Sequence, residues 1–369
     1  MFATSIQRWL YKNVGKPIFF RLDPEDVHDA VTLLGRVLGF CPCLRRLTRF
    51  LFRFDHPALE QTILGIRFEN PIGLAAGFDK NARLLRIMPQ VGFGFEEIGS
   101  VTGEPCEGNP RPRLWRLPKS KALVIWYGLK NDGCEAIAKR LSRLKARMPY
   151  GTSVARTNSA ATVEQSAGIA DYAKALRTFA DIGDYFTVNI SCPNTCGGEP
   201  FTSPEALDRL LTALDPIPTK KPVFLKMPAD ISTAELDALI AVADRHRVQG
   251  FIISNLTKKR DRETVNQDEI RVTDKGGISG RPVAGPSNAL IAHAYRTTGS
   301  RYVIMGCGGI FTAEDAYQKI RLGASLLQLA TGMIFEGPQA IGEINRGLVR
   351  LLQRDGFENV SQAVGVDKS

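Results

Sequence analysis

From about residue 70 the chain settles into an alternation that few folds accommodate: a short apolar run, a turn, a helical stretch, and the same again. The runs are Pro71–Ala76, Phe95–Gly99, Thr152–Ala155, Phe186–Ile190, Val223–Met227, Phe251–Asn255, Tyr302–Gly306 and Leu326–Ala330. Each is short and mainly apolar, as a strand buried on both faces of a parallel sheet tends to be. Ser232-Thr233-Ala234-Glu235 reads as a capping box opening one helix, and Thr312-Ala313-Glu314-Asp315 as a second helix start. Eight such units over roughly 290 residues predict an α/β fold, a (β/α)8 TIM barrel. A doubly wound open sheet is the alternative, because strand order is not written in one sequence. Two insertions break the rhythm. Residues 106–148 hold a strand-like run at 122–129 and a helix near 135–146. Residues 258–277 are charged and aperiodic, which suits a mobile lid or a plain surface loop.

The most informative motif is Asn189-Ile190-Ser191-Cys192-Pro193-Asn194-Thr195-Cys196-Gly197-Gly198. It follows an apolar strand and is broken by Pro193 and the glycine pair, so a thiol and two carboxamides sit at the C-terminal end of a strand. In a parallel barrel that is the end where active sites are built. A lone cysteine is more often a small buried hydrophobe, and only its company makes this one a candidate.

That company is extensive. Tyr302 to Ile310 runs from a strand into Gly306-Cys307-Gly308-Gly309, with a helix start at Thr312; the last strand ends Leu329-Ala330-Thr331-Gly332. These are the loops after strands seven and eight, where barrels hold phosphate on bare backbone. The sequence is not GxGxxG, which argues against a dinucleotide fingerprint. The first strand ends Ala75-Ala76-Gly77-Phe78-Asp79-Lys80, small residues that let a flat ring lie against the backbone. Lys80 and Lys226 bring positive charge to one mouth. Asn189, Asn194 and Asn255 suit a ligand edge of alternating C=O and N–H groups, such as a pyrimidine. Cys192 is expected to act beside them as a base, its pKa lowered by the nearby lysines.

Residues 1–60 have another texture. Trp9, Leu10, Phe19, Phe20, Leu33, Leu34, Val37, Phe40, Leu47, Phe50 and Leu51 recur at helical spacing among Arg36, Arg45, Arg46, Arg49 and Arg53. This predicts two or three amphipathic helices, either lying on an anionic membrane surface or packed as a hairpin on the main domain. The net charge of +10 suits an anionic membrane or an anionic small ligand. Without a Lys/Arg block interleaved with aromatics, nucleic acid is the weakest partner. Seven scattered cysteines lack zinc spacing and fit a reducing compartment, so no metal is expected. No apolar run is long enough to span a bilayer, and the N-terminus does not read as a signal peptide.

Taken together, NPIGLAAGFDKN, EEIGSVT, NPRPRLWRL, the TVEQ near Val163, NISCPNT, VFLKMPAD, GFIISN, GGISGRPV, GCGGI and GASLLQLATG resemble the dihydroorotate dehydrogenases over nearly the whole chain. FRLDPEDVHDA and the amphipathic start resemble the membrane-associated, quinone-reducing class. The resemblance implies FMN held by Ala76, Gly77, Ser100, Asn189, Lys226, Ser254, Gly280, Gly308, Ala330 and Thr331. It implies substrate contacts from Lys80, Asn189, Asn194 and Asn255, with Cys192 as the catalytic base that takes a proton while the neighbouring carbon passes hydride to the flavin. His28 and Arg116 match positions lining a quinone tunnel. The implied activity is oxidation of dihydroorotate to orotate, in pyrimidine biosynthesis, with a quinone as acceptor. The implied division is a membrane and quinone module at 1–60 and an FMN-binding barrel at 61–369. The implied location is peripheral, on the cytoplasmic side of a membrane, or on the mitochondrial inner membrane in a eukaryote. Three positions depart from the family. Ile125 replaces a substrate-binding Asn, Leu256 a substrate-facing Thr, and Ser153 an FMN-binding Asn. The quinone class also has Ser where Cys192 stands. These departures keep open a paralogue acting on another dihydropyrimidine, a lactam or an enone. A flavin-free scaffold barrel is the remaining alternative.

Overall fold

Four helices open the chain in the computed structural model, which describes residues 2–367 and the side chains of 6–367: α1 (Phe2–Leu10), α2 (Lys16–Phe19), α3 (Pro24–Phe40) and α4 (Pro42–Phe52). Residues 1, 368 and 369, the outer ends of the two expected segments, lie outside the described residues. A wider turn, Tyr11–Gly15, joins α1 to α2. Asp23 caps α3, its carboxylate accepting from the N–H groups of Glu25 (2.8 Å) and Asp26 (3.1 Å), and Pro24 takes the first helical position. Among the described residues no single helix is long and apolar enough to cross a membrane. Helices α3 and α4 meet that length and composition only as a pair, bent by 111°.

The strands follow in the order β1 (Gln61–Ile63), β2 (Ile66–Phe68), β3 (Ile72–Leu74), β4 (Phe95–Val101), β5 (Leu114–Leu117), β6 (Ala122–Ile125), β7 (Tyr150–Val154), β8 (Tyr185–Asn189), β9 (Val223–Lys226), β10 (Gly250–Ile253), β11 (Gly277–Gly280), β12 (Val303–Cys307) and β13 (Leu326–Leu329). The later helices are α5 (Met88–Val91), α6 (Cys134–Leu141), α7 (Gln165–Thr178), α8 (Pro204–Leu214), α9 (Thr233–Ala243), α10 (Gln267–Ile270), α11 (Ala284–Thr298), α12 (Ala313–Arg321), α13 (Thr331–Glu336) and α14 (Ala340–Arg354). Strands β3, β4, β7, β8, β9, β10, β12 and β13 close a parallel barrel in chain order, with β13 pairing β3 through Leu327↔Ile72 and Leu329↔Leu74. That closing pair decides for the TIM barrel over the open sheet. All eight expected strands are present, each within two residues of its expected ends.

Inside the barrel, residues two apart on a strand climb from floor to mouth. The floor is aromatic: Phe95, Tyr185 and Phe224 are fully or almost fully buried with Phe68 of the β1–β2 hairpin beneath them. Glycines on neighbouring strands make room for these rings. A Cβ at Gly73 would strike the Phe95 ring at 2.3 Å, one at Gly151 the Tyr185 ring at 2.1 Å, and one at Gly250 the Phe224 ring at 2.4 Å. One step up the interior turns polar, where Glu97 Oε2 accepts from Thr187 Oγ1 (2.8 Å) and Gln328 Nε2 (2.9 Å). The next step is the mouth, with Asn189, Ser254 and Ala330.

The two insertions meet above that mouth. Strands β5, β6 and β11 form a small antiparallel sheet, with β6 in the centre. Residues 258–277 are not the plain surface loop that their charge suggested. Val265 and Ile270 are buried in a cluster with Leu117, Ala122, Val124 and Ile278, and the segment ends by pairing β11 to β6. Two isolated apolar residues anchor it, too few to show as periodicity.

Candidate active site

The strand ends are tied to one another by short polar bonds. Ser153 Oγ on β7 lies 2.8 Å from Ser100 Oγ on β4, and Asn189 Nδ2 at the end of β8 donates to that same Ser100 oxygen at 2.8 Å. Asn189 Oδ1 accepts from Ser191 Oγ (3.2 Å) and Asn255 Nδ2 (3.3 Å). Asn255 Nδ2 also donates to Ser191 O at 2.7 Å, and its Oδ1 accepts from Leu256 N at 2.9 Å. Asn194 Nδ2 donates to Ile125 O on β6 at 2.9 Å. The three carboxamides therefore gather as expected, but most of their donors already hold the loops in place. Gly197 (φ 76°) and Gly198 (φ 69°) turn the chain away after them.

Two adjoining cavities open there. The first is lined by His28, Gly77, Lys80, Ser100, Asn189, Cys192 and Asn194, and roofed by apolar Phe78, Leu114, Leu123, Leu129 and Ile334. The second is lined by Ser254, Ser279, Gly280, Cys307, Gly308, Gly309 and Gln328. Ala76, Ile125, Lys226, Asn255, Leu256, Ala330 and Thr331 line both. Every residue expected to hold FMN or substrate, and Cys192, thus borders one or both of these adjoining cavities.

The surroundings suit a flat ring with a phosphate tail. A Cβ placed on Gly77 (φ 100°) would meet nothing within 4 Å and would stand in the cavity itself. Gly308 (φ 110°) and Gly309 (φ 74°) hold a tight turn, where a Cβ on Gly309 would strike Ala284 at 2.3 Å. Gln328 Oε1, at the cavity wall, is buried and has no hydrogen-bond partner, so an acceptor there waits for a donor. Ser279 Oγ and Thr331 Oγ1 meet at 2.8 Å beside it.

Charge at the site is set by burial. Enclosure drives the Lys80 ammonium down to about 8, opposed by Asp29 and Glu25; its Nζ sits 4.0 Å over the Tyr127 ring. The Cys192 thiol moves the other way from expectation. Burial pushes it up to about 11; the N–H of Asn194 and the charges of Lys226 and Lys258 pull it back, while Glu199 adds to the rise. Desolvation of a thiolate outweighs distant lysines here.

Of the two expected tunnel residues, His28 borders the first cavity. Burial, then Lys80, lowers its pKa, and its neutral ring donates from Nε2 to Phe78 O at 2.9 Å. Arg116 lies further out, its guanidinium bonded to Leu22 O (2.8 Å) and stacked on Phe20 at 4.9 Å. The structure does not bring the two together in one cavity. Several residues were not foreseen as site residues: Tyr127, Ser279, Gln328 and Lys319. Lys319 is almost fully buried behind the glycine turn, its Nζ donating to Ser287 Oγ (2.9 Å) and Asn288 Oδ1 (2.7 Å). Ser287 Oγ in turn donates to the carbonyls of Cys307 (2.8 Å) and Ile253 (3.1 Å). No motif marks such a residue, because its partners lie on another helix.

Comparison with known proteins gives a consistent answer. The family model described as "Dihydroorotate dehydrogenase" matches residues 58–352. A protein of Deinococcus deserti named dihydroorotate dehydrogenase (quinone) is 39% identical over 375 residues, covering 97% of this chain and 100% of that one. A protein of the same name from Roseiflexus castenholzii is 39% identical over 357 residues, covering 95% of each. Among solved structures, ligand-free DHODH from Eimeria tenella superposes with a TM-score of 0.83 at 29% identity, covering 94% of this chain and 99% of that one.

Proposed function

The chain belongs to the dihydroorotate dehydrogenase family, and from that premise we propose that it is an FMN-dependent enzyme oxidising dihydroorotate to orotate with a quinone as acceptor. The observation that carries this reading is the adjoining pair of cavities at the strand ends, one lysine-flanked with carboxamides beneath an apolar roof, the other glycine-walled. Ala76, Gly77, Ser100, Asn189, Lys226, Ser254, Gly280, Gly308, Ala330 and Thr331 would hold FMN across the two cavities. When bound, FMN takes the hydride equivalent from the substrate's CH–CH unit and passes electrons to a quinone.

The chain's own residues do the rest. Lys80 attracts the substrate carboxylate, and Asn189, Asn194 and Asn255 orient its polar edge. Cys192 Sγ, once deprotonated, takes the proton from the carbon beside the carbonyl. The apolar roof of Phe78, Leu129 and Ile334 excludes water, so the abstracted proton is not exchanged before hydride leaves. Residues 1–60 form the quinone and membrane module. His28 and Arg116 mark its inner and outer ends, and its exposed Trp9, Leu34, Phe40 and Phe50 rest on a membrane as a peripheral attachment, on the cytoplasmic side. The test is turnover of a soluble short-chain quinone by the purified yellow protein: reduction that depends on dihydroorotate supports the reading, and none contradicts it.

Ile125 and Leu256 favour a second reading. They place aliphatic side chains on the wall shared by both cavities, where a pyrimidine edge would want partners. On that reading the cofactor and fold stay, and the substrate is another dihydropyrimidine, a lactam or an enone.

A further inference from the structure

Away from the mouth, α4 carries a second cavity of about 400 Å³, walled by Arg45, Arg46, Arg49, Arg53, Arg147 and Glu69. Five guanidinium groups face one carboxylate. Arg53 is bound to Glu69 and to Asp55 (2.6 Å), and Arg49 to Asp55 at 2.9 Å. Among the described residues Arg45, Arg46 and Arg147 have no side-chain hydrogen-bond or ion-pair partner. Like charges held this close repel, and an anion between them relieves the repulsion. Guanidinium forks match the paired oxygens of a phosphate.

The same helix says which phosphate. Arg45, Arg49 and Arg53 recur every four residues along one side of α4, and Phe50 then Leu47 follow round the helix from Arg53 at steps of roughly 60°. Phe50 is 85% exposed and Leu47 53%. On the far side of the α3–α4 bend Phe40 is also exposed, with Arg86 stacked 4.7 Å from its ring. A soluble phosphate would neutralise the arginines and leave these side chains in water. A molecule with a phosphate at one end and acyl chains at the other satisfies both.

We infer that the arginine cavity on α4 is a binding site for the phosphate of an anionic phospholipid, with the acyl chains lying along Leu47, Phe50 and Phe40. This rests on the membrane attachment proposed above and gives it a headgroup preference. The experiment is flotation of the full-length protein with two kinds of vesicle, phosphatidylcholine alone and phosphatidylcholine with one-fifth phosphatidylglycerol. The wild type is expected to bind the charged vesicles on the order of 100-fold more tightly, and the triple variant Arg45→Gln/Arg46→Gln/Arg147→Gln to lose nearly all of that preference. A control triple on α7, α8 and the following loop, Arg177→Gln/Arg209→Gln/Lys220→Gln, removes equal charge and is expected to keep the preference within a few-fold. Retained flavin absorbance and an unchanged melting temperature establish that each variant is folded.

Equal loss in both triples overturns the site, since a diffuse field then explains the preference. An unchanged preference in the first triple overturns it as well. Stabilisation of the wild type by millimolar inorganic phosphate, equal to that by charged vesicles, assigns the cavity to a soluble anion and overturns the lipid. Binding to phosphatidylcholine without preference removes the headgroup site and leaves the membrane attachment standing. No binding to either vesicle removes both.

Discussion

Phe95, Tyr185 and Phe224 on the barrel floor are buried to 2% exposure or less, while Trp9, Leu34, Phe40 and Phe50 on the N-terminal helices are each more than half exposed. The barrel encloses its aromatic rings by setting a glycine opposite each one. The helices have no such complement and present theirs outward, as side chains at an interaction face do. Yet the two regions are joined through a buried charge pair. Glu25 of α3 accepts from Arg113 Nη2 at 2.8 Å and Nε at 2.9 Å, with both side chains nearly inaccessible. Burial alone would raise the Glu25 carboxyl, but Arg113, Arg111 and Lys130 outweigh it and hold the pKa below the usual range. The helices are therefore fixed to the mouth of the barrel at α3, and also through Arg53 and Tyr11, while their apolar side chains stay exposed.

The sharpest way to break this division is to remove the site's proton acceptor. Cys192→Ala is expected to slow substrate-driven flavin reduction about a thousandfold while FMN content and vesicle binding stay as in the wild type; loss of FMN instead would make Cys192 a structural residue. Next in size is the joint. Glu25→Gln leaves Arg113 buried without its counter-charge, and urea unfolding is expected to show a destabilisation of about 3–5 kcal/mol. A value near zero would mean that α3 is not held there. Because the joint is shared, deleting residues 1–60 would disturb the barrel too, and point changes separate the regions better.

The pH dependence sharpens the account of the mouth. The thiol must be deprotonated to act, so the reduction rate is expected to rise about tenfold per pH unit below about 11. Lys80 must be charged to attract an anion, so KM is expected to be flat below about pH 8 and to climb above it. Their product predicts kcat/KM rising to about pH 8 and then levelling, because the two slopes cancel. A plateau beginning near neutrality would mean that the bound ligands lower the thiol pKa. The smallest effect belongs to the outer face. Phe50→Asp is expected to weaken vesicle binding roughly tenfold while changing stability by no more than about 0.5 kcal/mol, read by flotation and urea titration.

These contrasts also explain what was legible in the sequence. The eight strands stood out because a barrel strand is buried on both sides and reads as a short, mainly apolar run between helical stretches. The mouth residues stood out because strand ends are marked by Gly, Pro and Asn. Strand β5, Leu114–Leu117, was missed because its Trp115 and Arg116 interrupt the apolar pattern. The pairing of Gly73 with Phe95 and of Gly151 with Tyr185 was invisible, since register across the barrel decides it. The Cys192 thiol was misjudged because desolvation depends on enclosure, which proximity to lysines in the chain does not reveal. The same holds for Lys319 and for the arginines of α4, whose meaning comes from what they do or do not meet in space.

The proposed activity requires the adjoining cavities at the barrel mouth to hold a flavin and a substrate beside Cys192. Anaerobic mixing of the purified yellow protein with dihydroorotate tests it most directly. The wild type is expected to lose its visible flavin absorbance in a single rapid phase that Cys192→Ala slows about a thousandfold. A wild-type flavin that stays oxidised, or a variant that bleaches as fast as the wild type, would contradict it.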